Sequence, residues 1–238
     1  MLRAAHPLGP SHSVLSVAEG LSDPAPVKLV ILPCTCPGLS RAGLRYHLES
    51  IHGPMVVDEP DVSRRFTTYV HHYVRDLPSR DDSILEDRDA VTIIRTPTMA
   101  DLAMSKSNAA YRDRIGPDED NFRKIEGSVA LLAHEIEVAP YADEAPAKLF
   151  FFRDAALDLG SGWAEELSKI VADKNLHGAV VNDAKVIEGH FPYAQFDEIG
   201  LSKGCDIPEL VAVIGAAALA HFGAADTKIL LTEPVRFI

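Results

Sequence analysis

Ten histidines stand in this chain of 238 residues, and several fall in its first half where they could move protons. Histidine changes charge closest to neutral pH, so it is the first group to consider for general acid–base work. His52 closes a stretch with helical spacing, and a helix C-terminus favours the imidazolium form, which could raise its pKa. Further on, residues 66–76 (FTTYVHHYVRD) alternate as a strand does. One face carries Phe66, Thr68, Val70, His72 and Val74; the other carries Thr67, Tyr69, His71, Tyr73 and Arg75. The first is mostly apolar, as a face packed beneath helices should be. The second is aromatic and polar at once. It suits a cavity wall that grips a small apolar ligand with a few polar handles, or else an edge facing water. His72 reads as a core histidine, and His47, between Leu44 and Leu48, as a packed and hydrogen-bonded one.

Other groups are weaker candidates. His134 shares a strand face with Ala130, Leu132, Ile136 and Val138. Glu135 and Glu137 share the opposite face with Val129 and Leu131. If that face points inward, Glu135 could orient a histidine or take a proton. His190 and Tyr193 flank a Phe-Pro bend and could close a cavity. Cys34-Thr-Cys36 has no second pair at zinc spacing and reads as structural, so no metal site is expected. Cys205 precedes a helix and reads as inert. Walker, Rossmann and nucleophile-elbow patterns do not occur. The acidic runs 80–89 and 117–120 read as solvated loops.

The elements that must position these groups fall into two similar sets. Residues 27–32 (VKLVIL) form a strand. Ser40 caps a helix over 41–52 with Leu44, Leu48 and Ile51 as its apolar stripe, and Gly53-Pro54 stops it. Residues 66–76, 91–95 and 129–138 are strands, and Thr96 or Thr98 caps a helix over 97–112, with Asp101 completing a capping box on Thr98. The order β-α-β-β-α-β is the ferredoxin-like unit. It recurs as a strand at 147–153, a helix capped by Ser161, strands at 178–188 and 193–201, a helix from Asp206 to Phe222, and a strand at 227–237. The expected organisation is an arm (1–26), a first repeat (27–139), a linker, and a second repeat (147–238). Each unit leaves one sheet face open and apolar, and burying the two faces together makes an α+β barrel within one chain.

Composition narrows the functions. Apolar residues make up 47% and charged residues 24%, as in a core-forming chain. Asp plus Glu is 35 against 23 for Lys plus Arg, a net charge of −12 that disfavours nucleic acid and anionic membranes. The longest apolar stretch, 210–222, is too short to span a bilayer, and residues 1–26 lack the pattern of an export signal. Three cysteines without framework spacing suit a reducing, cytoplasmic setting.

The segments Pro37-Gly-Leu-Ser-Arg41, Tyr46-His47 and Ile51-His-Gly-Pro-Met55, the strand Tyr69-Val-His-His-Tyr-Val74 and Asn121-Phe122 resemble the EthD family, over residues 27–138. That resemblance implies the dimeric α+β barrel superfamily and a homodimer. It also implies that His52, the histidine of His-Gly-Pro, faces the barrel cavity as the candidate acid–base group. Tyr69 and His71 would polarise or orient the substrate oxygen, and Tyr73, Tyr46, His134 and Glu135 would contact the substrate. The expected activity is a cofactor-independent lyase, isomerase or cyclase acting on a small apolar or aromatic oxygenated compound. A non-catalytic binding or accessory protein is the second reading. A haem protein with His134 or His190 as axial ligand is the third.

Overall fold

The computed structural model describes residues 26–77, 85, 87–139, 145–154, 162–193, 195–223 and 226–238. The expected arm, apart from Pro26, lies outside these residues, as do the Ser161 cap, much of the 80–89 run and the middle of the linker. Eight strands form one closed antiparallel barrel: β1 (Val27–Thr35), β2 (Thr68–Arg75), β3 (Ala90–Thr96), β4 (Arg123–Ala139), β5 (Ala147–Arg153), β6 (Gly178–Glu188), β7 (Gln195–Leu201) and β8 (Thr227–Arg236). The helices of the first half are α1 (Arg41–His47), α2 (Gly53–Val57), α3 (Pro60–Ser63), α4 (Met99–Ser107) and α5 (Gly116–Asp118). Those of the second half are α6 (Gly162–Asp173) and α7 (Ile207–Phe222).

Around the barrel the strands run β1-β3-β2-β8-β5-β7-β6-β4. In each half the first strand pairs with the third and fourth, and the third with the second. The β2–β8 and β4–β6 pairings join the halves and leave no open edge. Val30 and Leu32, Val91 and Ile93, Val129 and Leu131, and Phe150, Phe152, Phe196 and Leu230 meet inside the barrel. The outer faces pack against helices: Leu29 and Ala130 against Met99 and Leu102 of α4, and Leu149, Ile199 and Leu231 against α6 and α7. Caps fall where the side chains allow. Ser40 accepts from Gly43 N, Thr98 from Asp101 N and Asp206 from Glu209 N.

Two readings of the strand faces are corrected here. Val70 and His72 point into the barrel, where His72 stacks edge-on against Phe150 at 5.2 Å and leaves its Nδ1 without a partner. Tyr69, His71 and Tyr73 lie on the outer face beneath the first-half helices. The apolar face was the one buried by the second half, because two sheets closing on each other need it more than a helix layer does.

Glu135 does face inward, but toward cations. Its Oε1 lies 2.7 Å from Lys28 Nζ, and Arg95 donates to both its oxygens at 2.9 and 2.7 Å. Lys28 also pairs with Glu198 and donates to Asn182 at 2.9 Å, and Lys148 reaches Glu198 at 3.3 Å. Among the described residues, phenylalanines and this ion network meet in the barrel centre.

Candidate active site

The helix begun at Ser40 does not stop at Gly53-Pro54. Between α1 and α2 the chain makes one wide turn, Leu48–His52, in which Gly53 N–H reaches the Leu48 carbonyl five residues back. Proline has no N–H to give, so a turn that shifts the hydrogen-bond ladder carries the helix past it. Glycine is required at this point. A Cβ on Gly53 would lie 2.4 Å from the Phe237 ring and 2.7 Å from the Leu48 carbonyl oxygen. The same device recurs at Tyr111–Ile115, where Gly116 N–H reaches the Tyr111 carbonyl and Pro117 follows. Each wide turn delivers one member of a pair: His52 from the first, and Asp118, just past the second Gly-Pro, from the other.

The wide turn also brings two histidines to one side. In an α-helix residues five apart point about 140° from each other, and one extra residue in the turn removes most of that angle. His47 Nε2 lies 3.0 Å and His52 Nδ1 2.9 Å from the same Asp118 oxygen, Oδ2. Asn121 donates to Oδ1 at 3.0 Å, and Phe122 packs against both imidazoles at 5.2 and 4.8 Å. Burial works against the Asp118 charge, but hydrogen bonds from His47, Asn121 and His52 outweigh it and hold the carboxyl below its usual range. His52 goes the other way from the expectation. Burial lowers its pKa, and Asp118 only partly offsets this. The helix runs on past His52, so no terminal carbonyls charge it. A neutral ring with Nδ1 against a carboxylate carries its proton there, and Nε2 keeps a lone pair.

His52 lines a cavity of about 50 Å³, with Tyr69, His71 and Thr92 on the strand wall and Leu48, Val56, Val62, Phe66, Ile94 and Leu102 around them. As it stands the volume holds a few waters, so a ring-sized ligand enters only by displacing them and moving the lining side chains. The space lies between the sheet's outer face and the first-half helices, not inside the barrel. Within it Tyr69 Oη and His71 Nε2 are 2.9 Å apart, and His71 Nδ1 is 2.8 Å from Thr92 Oγ1. Complete burial takes His71 down to about 3, with the neighbouring His52 adding to it, and burial raises Tyr69 well above its ordinary value. Both are therefore neutral. In the tautomer that carries Nε2–H, Thr92 donates to Nδ1 and Nε2–H donates to Tyr69, which leaves the phenolic hydrogen for a ligand oxygen. Phe237, from the second half, backs this wall, 5.4 Å from the Tyr69 ring and 5.2 Å from His71.

Of the residues singled out from sequence, His52, Tyr69 and His71 converge on the cavity. The others do not. Tyr73 is buried beneath Arg45 at 4.8 Å, with its hydroxyl unpartnered. Tyr46 is 65% exposed, one residue off the buried side of α1. His134 and His190 are exposed, and neither lines the cavity. Glu135 is held in the barrel by Lys28 and Arg95. Asp118 and Thr92 were missed. Asp118 sits in a run that reads as a solvated loop, and the available signal was the second Gly-Pro echoing the first.

The second half fills the corresponding place. In register, Asp197 stands where Thr92 does, Val181 where His71 does and Ala179 where Tyr69 does. Trp163 packs there against Phe151 and Phe222 at 6.0 and 5.1 Å, and its indole N–H donates at 3.0 Å to Asp197, the partner of buried Arg153.

Fold and site together define an α+β barrel protein with a cavity lined by His52, Tyr69 and His71 on the outer face of its first half. Residues 36–124 match the EthD domain family. No curated protein matches the chain. Among solved structures, the chain resembles a candidate monooxygenase from Fusobacterium nucleatum subsp. nucleatum, at 8% identity and a TM-score of 0.54, over 88% of this chain and 92% of that one. It also resembles an anthrone oxidase-like protein, at 12% identity and a TM-score of 0.53, over 90% of this chain and 92% of the other. Among the described residues, no helix is long and apolar enough to cross a membrane.

Proposed function

We propose that the protein is an enzyme that moves a proton on a small, largely apolar oxygenated compound, with its own side chains supplying acid and base. His52 Nε2 takes the proton, Asp118 holds the ring in place, and the Tyr69–His71–Thr92 chain polarises a substrate oxygen. A cofactor-independent lyase, isomerase or cyclase is the reaction class this machinery suits. The observation that carries the reading is the meeting of His52, backed by Asp118, and Tyr69, backed by His71, in one cavity. The strand order, the same in each half, supports two fused ferredoxin-like repeats with boundaries near 27–139 and 147–238. A homodimer in the cytoplasm belongs to the same proposal, and light scattering reads its mass.

Proton NMR in D₂O tests the chemistry. A panel of aryl ketones, lactones and cyclic enols should include a compound whose acidic C–H exchanges with solvent, and His52→Gln should slow that exchange about 10²-fold or more. Exchange that survives in the variant removes His52 from the role. Binding without exchange across the panel favours the accessory, ligand-carrying reading. The names of the two similar structures suggest a further outcome, oxygen uptake, and an electrode in the same assay reads it.

A further inference from the structure

One wall of the cavity carries two donors that the acid–base reading leaves unused. Leu102, Ser105 and Lys106 fall at i, i+3 and i+4 on α4, which sets them on one helix face, and all three line the cavity. Ser105 is 1% exposed, yet its hydroxyl makes no hydrogen bond among the described residues. That hydroxyl borders the cavity, where water or a ligand atom can bond it. Lys106 makes no ion pair among the described residues; its Nζ lies 5.8 Å from the centre of the Tyr111 ring. The nearby carboxylate is already taken. Glu119 is paired with Arg123 and accepts from Tyr111 Oη at 2.6 Å. The wall therefore keeps one positive charge without an ion pair and one hydroxyl without a hydrogen bond, although Lys106 also helps lower the Glu119 carboxyl, which lines the same cavity.

We infer that this wall receives an anionic oxygen group, a carboxylate, so that the substrate is a small apolar acid. The carboxylate sits against Ser105 and Lys106, and the apolar body lies along Leu48, Val62, Phe66 and Leu102. The reacting end lies at His52 and Tyr69. This rests on the acid–base reading for the reacting end only; capture of the carboxylate stands on α4.

Salicylate and its methyl ester share a body and differ in charge, and calorimetric titration of both against the full chain tests the inference. Salicylate should bind wild type more tightly than the ester. Lys106→Met should weaken salicylate about tenfold or more and leave the ester unchanged, Lys106→Arg should restore it, and Ser105→Ala should weaken it about threefold to tenfold. Ester binding also confirms that each variant is folded. Equal affinity for acid and ester, no effect of Lys106→Met, or no salicylate binding up to about 10 mM would overturn the inference. The ring signals of His52 separate the two readings. Lys106-dependent binding that leaves them unmoved keeps the carboxylate site and removes His52 from it.

Discussion

His47 and His52, five residues apart on one helix, both reach Oδ2 of Asp118, at 3.0 and 2.9 Å. An uninterrupted α-helix would turn them apart, so the wide turn before Gly53-Pro54 is what makes the cluster. One carboxylate thus fixes two imidazoles and leaves the His52 Nε2 edge for the cavity.

Asp118→Asn keeps the shape and removes the charge. Its amide can present a donor where Nδ1–H now donates, which turns the His52 ring to the other tautomer or out of line. C–H exchange should fall about 10²-fold while the protein stays folded. Nitrogen-15 chemical shifts of His52 should show the tautomer change. Unchanged shifts and unchanged exchange would deny Asp118 its orienting role.

The buried histidines set the pH dependence. His71 stays neutral down to about 3 in the folded chain, against 6.5 ordinarily. Its folded pKa is depressed, so the unfolded chain takes up this proton first as pH falls. Stability from His71 is whole above about pH 6.5 and lost progressively toward about 3, roughly 2 kcal/mol of it by pH 5. Urea midpoints at pH 7.5 and 5 should show this loss, and His71→Gln should show a shallower one. The lowered His52 pKa works in the same direction for activity: the basic form persists into more acidic solution, and the acid limb of the rate profile should lie below 6.5.

Gly53→Ala should be costly. The added carbon meets a ring and a backbone oxygen at 2.4 and 2.7 Å, and the carbonyl cannot rotate away. A loss of about 1–3 kcal/mol is expected, read as a lower Tm, with weaker ligand binding because His52 moves along with the turn. Gly38→Ala offers a contrast. A Cβ there meets nothing within 4 Å, so its cost should come only from the positive φ of 86°.

Much of this architecture was legible in the sequence, because period and caps are local. The strand at 27–32, the Ser40 cap and the repeated element order were readable from spacing alone, while the choice of Thr98 over Thr96 as the second cap came from the structure. The cavity's place was not. Alternation separates Tyr69, His71 and Tyr73 from Val70 and His72, but which set faces the barrel depends on the second half. Tyr73 shares a face with His71, yet Leu44, Leu48 and Phe122 cover it, and only their packing decides that. Gly53-Pro54 reads as a helix stop because the usual ladder cannot pass a proline; the wide turn that passes it has no composition of its own. Asp118 lies 66 residues from His52 in sequence, and only the fold brings the two together.

Tyr69→Phe isolates the oxygen-polarising role. It keeps the ring packed against Phe237 and removes only the hydroxyl next to His71. Stability should change by about 1 kcal/mol, the worth of one buried hydrogen bond. Exchange should fall more than binding, because the hydroxyl matters most once charge develops on the substrate oxygen. An equal loss in both would assign Tyr69 to binding alone.

Glu198→Ala should separate stability from function. Glu198 is fully buried, its oxygens face Lys28 and Lys148, and these cations hold it well below its ordinary pKa despite burial. Removing it leaves two buried lysines short of a counter-charge, at a cost of about 3–5 kcal/mol. Urea unfolding should read that loss directly. The network lies inside the barrel and the cavity outside it, across the sheet, so the fraction still folded should bind salicylate as wild type does. Lost binding in a folded variant would mean that the barrel interior and the cavity are coupled. Unchanged stability would mean that the lysines give up their protons once the carboxylate is gone; Lys148, lowered by burial to about 8 while Glu198 is present, should then titrate lower still, which a pH titration of the variant reads.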